Sequence, residues 1–299
     1  MKKSEKLLSL KDATQLVNDG SRLALGGFGI YQRPMAFVRE LIKQKVKNLT
    51  IIGVVNSIEA DMLIGSNCLS TIETSYVGFE KYGIAPNFRK YSEKGKLRVI
   101  DYPELLSVDR FRASQENLDF WPATGLGGTD IVKLNKDIKS FKSPISKKLL
   151  HALPAAKPDV VVIHALAGDP YGNIIVPSYK NMAQSLDIIL SRSCNNVIIT
   201  IEKIVSDNFM KKHPHLIEIP SHRVKAVCLA PYGAHPTSML GRYSEDEKHW
   251  VEYIKASKKN EDFKKYINKY INSANGNNSY LNKIGGAHLS SLLQVDVQK

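Results

Sequence analysis

Cysteine is scarce in this chain. The three cysteines, Cys68, Cys194 and Cys228, are widely separated and form no CxxC, so neither a disulfide framework nor a thiolate zinc site is indicated. Cys194 and Cys228 stand in or beside apolar, strand-like runs and read as reduced core thiols. Long apolar runs are missing too: nothing approaches the roughly eighteen uninterrupted apolar residues of a membrane span. The basic start, Met1-Lys2-Lys3-Ser4-Glu5-Lys6, leads into an amphipathic segment rather than an apolar signal core. The expectation is a cytoplasmic protein with no membrane partner. GxSxG, HExxH and EF-hand patterns are also absent, which removes the commonest hydrolase and metal readings. His213 and His215 form an HxH with His222 nearby, but they sit among prolines and charges in a pattern short of a ligand set, so no metal is expected.

Acidic residues are outnumbered: 42 Lys and Arg face 29 Asp and Glu, a net charge of +13. The lysine pairs Lys147-Lys148, Lys211-Lys212, Lys258-Lys259 and Lys264-Lys265 fall on separate predicted segments, without an RNP motif, zinc finger or helix-turn-helix beside them. A basic solvated surface is therefore expected, facing an anionic small ligand or an acidic partner subunit rather than nucleic acid. At 299 residues, 43% hydrophobic and 24% charged, the chain has the composition of a soluble globular protein with a large core.

Strand-like and helix-like segments alternate. Ser9 followed by Asp12 marks a helix start, and Gly20 suits a left-handed helix end. The spacing predicts strands at 22–25, 49–55, 71–76, 97–100, 159–165, 196–201 and 224–230. Helices are predicted from Pro34 to about Lys45, over 86–93, 104–117 and about 180–192, and from Asp246 onward. Residues 133–157, rich in Lys, Ser and Pro, read as an irregular excursion. The run Val160-Val161-Val162-Ile163 is typical of a strand buried on both faces. The expected fold is α/β: a largely parallel open sheet with helices on both faces, over residues 1–255, and a helical C-terminal extension over 256–299.

The segment Leu23-Ala24-Leu25-Gly26-Gly27-Phe28-Gly29, closed by Gln32-Arg33-Pro34, reads as strand, glycine loop and helix start. In an open α/β sheet the crevice beyond a strand's carboxyl end is where ligands sit. The loop is neither a GxGxxG fingerprint nor a P-loop. Asn56, at the end of the second strand, fits either an amide that polarises an acyl oxygen or a turn cap. Glu80 fits a surface salt bridge or a catalytic carboxylate.

The residues 19–34 also resemble the N-terminal signature of family I coenzyme A transferases: Asp-Gly, three apolar residues, Gly-Gly-Phe and a Gly-x-Pro close, with Gln32 standing where many members carry glycine. The resemblance extends through Ser75-Tyr76-Val77-Gly78, Phe88-Arg89, Gly95-Lys96-Leu97, Phe120-Trp121-Pro122 and Gly125-Leu126-Gly127-Gly128-Thr129. Asp169-Pro170-Tyr171-Gly172-Asn173 and Pro231-Tyr232-Gly233-Ala234-His235-Pro236 are similar to the A subunits of the glutaconate-type branch, so that about residues 7–255 are covered.

The resemblance implies a heteromeric enzyme, a heterodimer or heterotetramer, that moves coenzyme A between an acyl-CoA and a free carboxylic acid. The nucleophile is then a glutamate of a B subunit, in a Ser-Glu-Asn-Gly type motif that this chain lacks. This chain's part would be to position CoA or an acyl oxygen through Gly26, Gly27, Phe28, Gly29, Gln32, Asn56, Gly78, Gly125, Gly127 and Gly128. Glu104 falls where ring-opening CoA-ester hydrolases of steroid catabolism place a working glutamate, and equally where first-turn helix electrostatics favour an acid. Two alternatives follow: a two-subunit hydrolase using Glu104, and a non-enzymatic acyl-metabolite-binding subunit.

Overall fold

The computed structural model describes residues 4–124, 126, 128–177 and 182–294. The chain opens with α1 (Leu10–Thr14), β1 (Arg22–Leu25), α2 (Met35–Gln44), β2 (Leu49–Ile52), β3 (Val55–Asn56), α3 (Ile58–Gly65), β4 (Leu69–Thr74) and β5 (Tyr76–Val77). It continues through α4 (Pro86–Glu93), β6 (Arg98–Asp101), α5 (Glu104–Gln115), β7 (Phe120–Ala123), α6 (Ile131–Leu134), β8 (Lys139–Lys142) and β9 (Leu149–Pro154). Then come β10 (Val160–Gly168), β11 (Ile174–Ile175), α7 (Met182–Arg192), β12 (Val197–Ile204), α8 (Asp207–Lys212) and β13 (Val224–Leu229). Four helices close the described chain: α9 (Glu247–Ser257), α10 (Asn260–Ile267), α11 (Gly276–Ile284) and α12 (Gly286–Ser291).

The main sheet has the order β13-β12-β10-β1-β2-β4-β6, with β11 paired to β10. Every pairing along that path is parallel, and only β11 runs antiparallel. The open, largely parallel sheet expected from the alternation is the fold observed. Its central strand β1 pairs Leu23 with Ile51 on one side and with Val160 on the other. From β1 the chain builds outward through β2, β4 and β6, then returns to β10 on the opposite flank, so the winding direction reverses at β1.

Alternate residues of each central strand feed two cores. Leu23, Leu25, Ile51, Val160 and Val162 pack with α2, α3 and the C-terminal helices, including Trp250, Tyr253 and Phe263. Ala24, Ile52, Val161 and Ile163 face Phe111 of α5 and Leu186 and Leu190 of α7. Burial on both faces explains the unbroken apolar runs, each fully buried Leu or Ile contributing about 2 kcal/mol. Asp246 helps to fasten the C-terminal helices: its carboxylate meets His235 Nε2 at 3.0 Å and His288 Nε2 at 2.7 Å, and accepts from the His249 amide at 3.0 Å.

Three segments differ from the sequence expectation. Residues 133–157 contain β8 and β9, which with β7 form an antiparallel sheet in the order β7-β9-β8. That sheet covers only a small cluster around Tyr102, Ala123 and Leu153, so Lys and Ser dominate its outer positions and mask the strand signal. The second strand stops at Ile52, and Val55–Asn56 pairs with β5 instead. Helix α3 carries no amphipathic stripe, because its acids Glu59 and Asp61 are fully buried along with its aliphatics.

Candidate active site

Beyond the carboxyl end of β1 the chain turns sharply, and the glycines there meet two physical requirements. Gly27 has φ +81°, and a Cβ on it would lie 2.5 Å from the Tyr31 carbonyl oxygen. Gly26 has a Cβ position only 2.5 Å from Asp187 Oδ1, so the carboxylate occupies the room a side chain would need.

All four loop amides find acceptors within the protein. Gly26 N donates to the Val162 carbonyl at 2.8 Å, Phe28 N to the Tyr31 carbonyl at 3.0 Å and Gly29 N to the Val55 carbonyl at 3.3 Å. Gly27 N donates to Asp187 Oδ1 at 2.8 Å. On the carbonyl side stands Arg33, fully buried. Its guanidinium donates to the carbonyls of Gly29 and Gly26, both at 3.1 Å, and to that of Val55. Its charge is balanced by Glu59, 3.3 Å away. Burial lowers the Arg33 pKa, and the nearby Glu59 carboxylate opposes that shift.

Gln32 is fully buried with φ +58°, in the left-handed region that glycine adopts most easily. Its Nε2 donates to Asp187 Oδ2 at 3.1 Å and to the His164 carbonyl at 3.2 Å. These contacts replace the conformational freedom a glycine would have. Asp187, on α7, thus receives donors from two points of the turn, and burial pushes its pKa up to about 7.

Above this turn lies a cleft of about 560 Å³ lined by Phe28, Tyr76, Glu80, Asp101, Tyr102 and Glu104, among others. It sits at the carboxyl end of the sheet, where β1, β4 and β6 finish beside the reversal of strand order, as ligand crevices of open α/β sheets do. Glu104 is the first residue of α5, where the helix dipole favours its exposed carboxylate. Glu80 Oε1 reaches over the loop, to 2.6 Å from the Cβ position of Gly29. The Tyr102 wall is braced from behind by Arg110, whose guanidinium carbon lies 3.6 Å from the ring centroid and whose Nη2 meets Glu73 at 2.6 Å.

The structure brings Phe28, Glu80 and Glu104 to one cleft, with Gly29 at its edge. Gly26, Gly27 and Gln32 lie beneath its floor. Asn56 is buried, its Nδ2 donating to Glu59 Oε1 at 3.1 Å and its Oδ1 accepting from the Thr74 hydroxyl at 2.7 Å, so both ends of its amide are held by side chains of the protein. Gly78 N donates to the Asn56 carbonyl at 3.2 Å. Gly128, with φ +86°, stands in the exposed turn before α6. Gly125 and Gly127 lie outside the described residues. Sequence reasoning passed over Arg33, Glu59 and Asp187; their signal was a charge set inside an otherwise apolar or glycine-rich run.

Comparison with known proteins gives a consistent picture. The family described as Coenzyme A transferase matches residues 7–230. An uncharacterised protein of Archaeoglobus fulgidus is 33% identical over 98% of this chain, which spans 65% of that protein's length. The A subunit of glutaconate CoA-transferase from Acidaminococcus fermentans is 32% identical over 97% of this chain and 95% of its own. The crystal structure of glutaconate coenzyme A-transferase from that organism superposes with a TM-score of 0.90, at 30% identity, covering 97% of this chain and 96% of the other. A cholesterol ring-cleaving hydrolase IpdA subunit of Rhodococcus jostii is 25% identical over 91% of this chain and 94% of its own.

Proposed function

Because the chain belongs to the Coenzyme A transferase family, we propose that it is the A subunit of a heteromeric enzyme that moves coenzyme A from an acyl-CoA to a free carboxylic acid. One observation carries this reading. The cleft at the end of β1 holds the carboxylates Glu80, Asp101 and Glu104 on an open side, while the glycine-loop amides beneath it already have acceptors. The chain therefore offers a preformed wall and a place for an acyl group. The sequence lacks the Ser-Glu-Asn-Gly type motif that carries the nucleophile.

The chemistry divides between two chains. The nucleophilic carboxylate, on the B subunit, attacks the acyl-CoA carbonyl, forming a mixed anhydride and releasing CoA thiolate. The thiolate then attacks the glutamyl carbonyl, leaving a glutamyl-CoA thioester and a free acid, and a second acid reverses both steps. Glu80 and Glu104 border the reacting group, and the rigid loop fixes the floor on which it rests. The test is exchange between acyl-CoAs and free acids, assayed with this chain alone and with its B subunit, with mass detection of the adduct. The expected result is exchange and a glutamyl-CoA adduct on the B subunit only when both chains are present. Exchange by this chain alone overturns the proposal.

A second reading rests on the position of Glu104, an exposed carboxylate at the cleft wall. As a base toward water it would serve a CoA-ester hydrolase. Glu104→Gln separates the two: it abolishes hydrolysis, whereas a transferase with its nucleophile on the B subunit keeps most of its kcat.

A further inference from the structure

A second concavity, of about 480 Å³, lies at the amino ends of β2 and β4, the opposite end of the parallel sheet from the cleft. Its volume is in the range of small-molecule pockets. Ile42 of α2 and Phe263 and Ile267 of α10 give it an apolar lining, and all three are buried. Lys45, Lys47 and Lys264 also line it, with no Asp or Glu among the lining residues.

Among the described residues, none of these three ammonium groups donates a hydrogen bond or joins an ion pair, whereas Lys43, on the same helix as Ile42, donates to the Ala274 carbonyl. The lysines are not needed as helix caps. The last carbonyls of α2 accept from the Lys45 and Val46 amides, and those of α3 from the Ser66, Asn67 and Cys68 amides. The nearby Asp19 carboxylate accepts from the Lys47 amide at 2.7 Å. Ser66 Oγ, buried and without a hydrogen-bond partner, completes the lining. The groove thus combines an apolar bed and unpaired cations.

We propose that this groove binds an amphipathic carboxylate, a single aliphatic chain with one anionic head. The chain lies against Ile42, Phe263 and Ile267, and the head sits among the ammonium groups of Lys45, Lys47 and Lys264. Nothing in this assignment depends on the chemistry of the cleft.

Calorimetric titration of the full chain with decanoate, below its micelle concentration, tests the assignment. Decanol, decyltrimethylammonium and decyl phosphate serve as comparison probes. The expected result is one decanoate per chain, weaker binding of decanol and none of the cationic amphiphile. Lys47→Glu with Lys264→Glu should weaken decanoate binding about tenfold while leaving the thermal midpoint in place, as reversing two exposed charges does. Ile267→Ser should weaken it through the apolar bed. Equal binding of decyltrimethylammonium, or unchanged decanoate affinity in the charge-reversed variant, overturns the proposal. Binding of decyl phosphate but not decanoate overturns the carboxylate head. A dimer in sedimentation equilibrium that the charge reversal separates gives the groove to a second copy and likewise overturns it.

Discussion

Asp187→Asn offers a measurement that isolates one buried carboxylate under the candidate active site. The Asp187 carboxyl is fully buried, accepts from Gly27 N at 2.8 Å and Gln32 Nε2 at 3.1 Å, and has its pKa raised by burial from 3.8 to about 7. A carboxyl whose pKa is raised in the folded state binds more protons there than in the unfolded chain. Stability therefore falls as pH rises from about 4 to about 7 and changes no further above that, since the group is then ionised in both states. The full rise in pKa corresponds to at most about 4 kcal/mol. The amide of the variant would keep an oxygen for Gly27 N and would not titrate. The difference in unfolding free energy, variant minus wild type, should thus grow by up to about 4 kcal/mol between pH 4 and pH 8, read from urea unfolding across that window. Asp61, raised to about 6 by burial, contributes a slope of the same sign to both proteins and cancels in the difference. Parallel pH curves for variant and wild type would refute the assignment of a costly buried charge beneath the loop.

Two further outcomes test the floor of the site. Glu59→Gln leaves the buried Arg33 guanidinium without its counter-charge 3.3 Å away and should cost about 3–5 kcal/mol in urea unfolding; an unchanged midpoint would refute the pairing. Gly27→Ala places a Cβ 2.5 Å from the Tyr31 carbonyl oxygen at φ +81° and should lower stability by more than about 1 kcal/mol, so a thermal midpoint equal to wild type would show that the turn relaxes freely.

The main sheet was legible because its central strands are buried on both faces: Val160 to Ile163 alternate between two apolar cores and leave no polar interruption. Helix boundaries at Pro86 and Glu104 were legible because proline at or just before the first turn is a local signal, independent of what the helix later packs against. The small sheet of β7, β8 and β9 was not, because its strands cover little and so carry little apolar pattern. Glu104 and the glycine turn, which the structure places at one cleft, were both marked by local sequence signals. The partners that shape the turn were not, because Asp187 stands 160 positions from the Gly27 amide it meets. The position of Gln32 shows the same limit: its left-handed backbone is tolerated through side-chain contacts to Asp187 and His164 that no local pattern announces.

The buried charges also decide what kind of site this is. A glycine loop with free amides would adapt to a ligand and donate to it. Here Arg33 draws the carbonyls of Gly26, Gly29 and Val55 together, and Asp187 and the Val55 and Val162 carbonyls take the amides from above and below. Moving the turn by even one bond would expose a buried guanidinium or carboxylate to an unmet environment, which costs several kcal/mol. The turn is consequently a fixed surface. On the proposed reading, groups that follow a reacting acyl chain would come from the exposed carboxylates of the cleft wall, Glu80 and Glu104, or from another subunit. The glycines at this position therefore serve close packing against Asp187, Arg33 and Tyr31, while Phe28 and the carboxylates line the cleft.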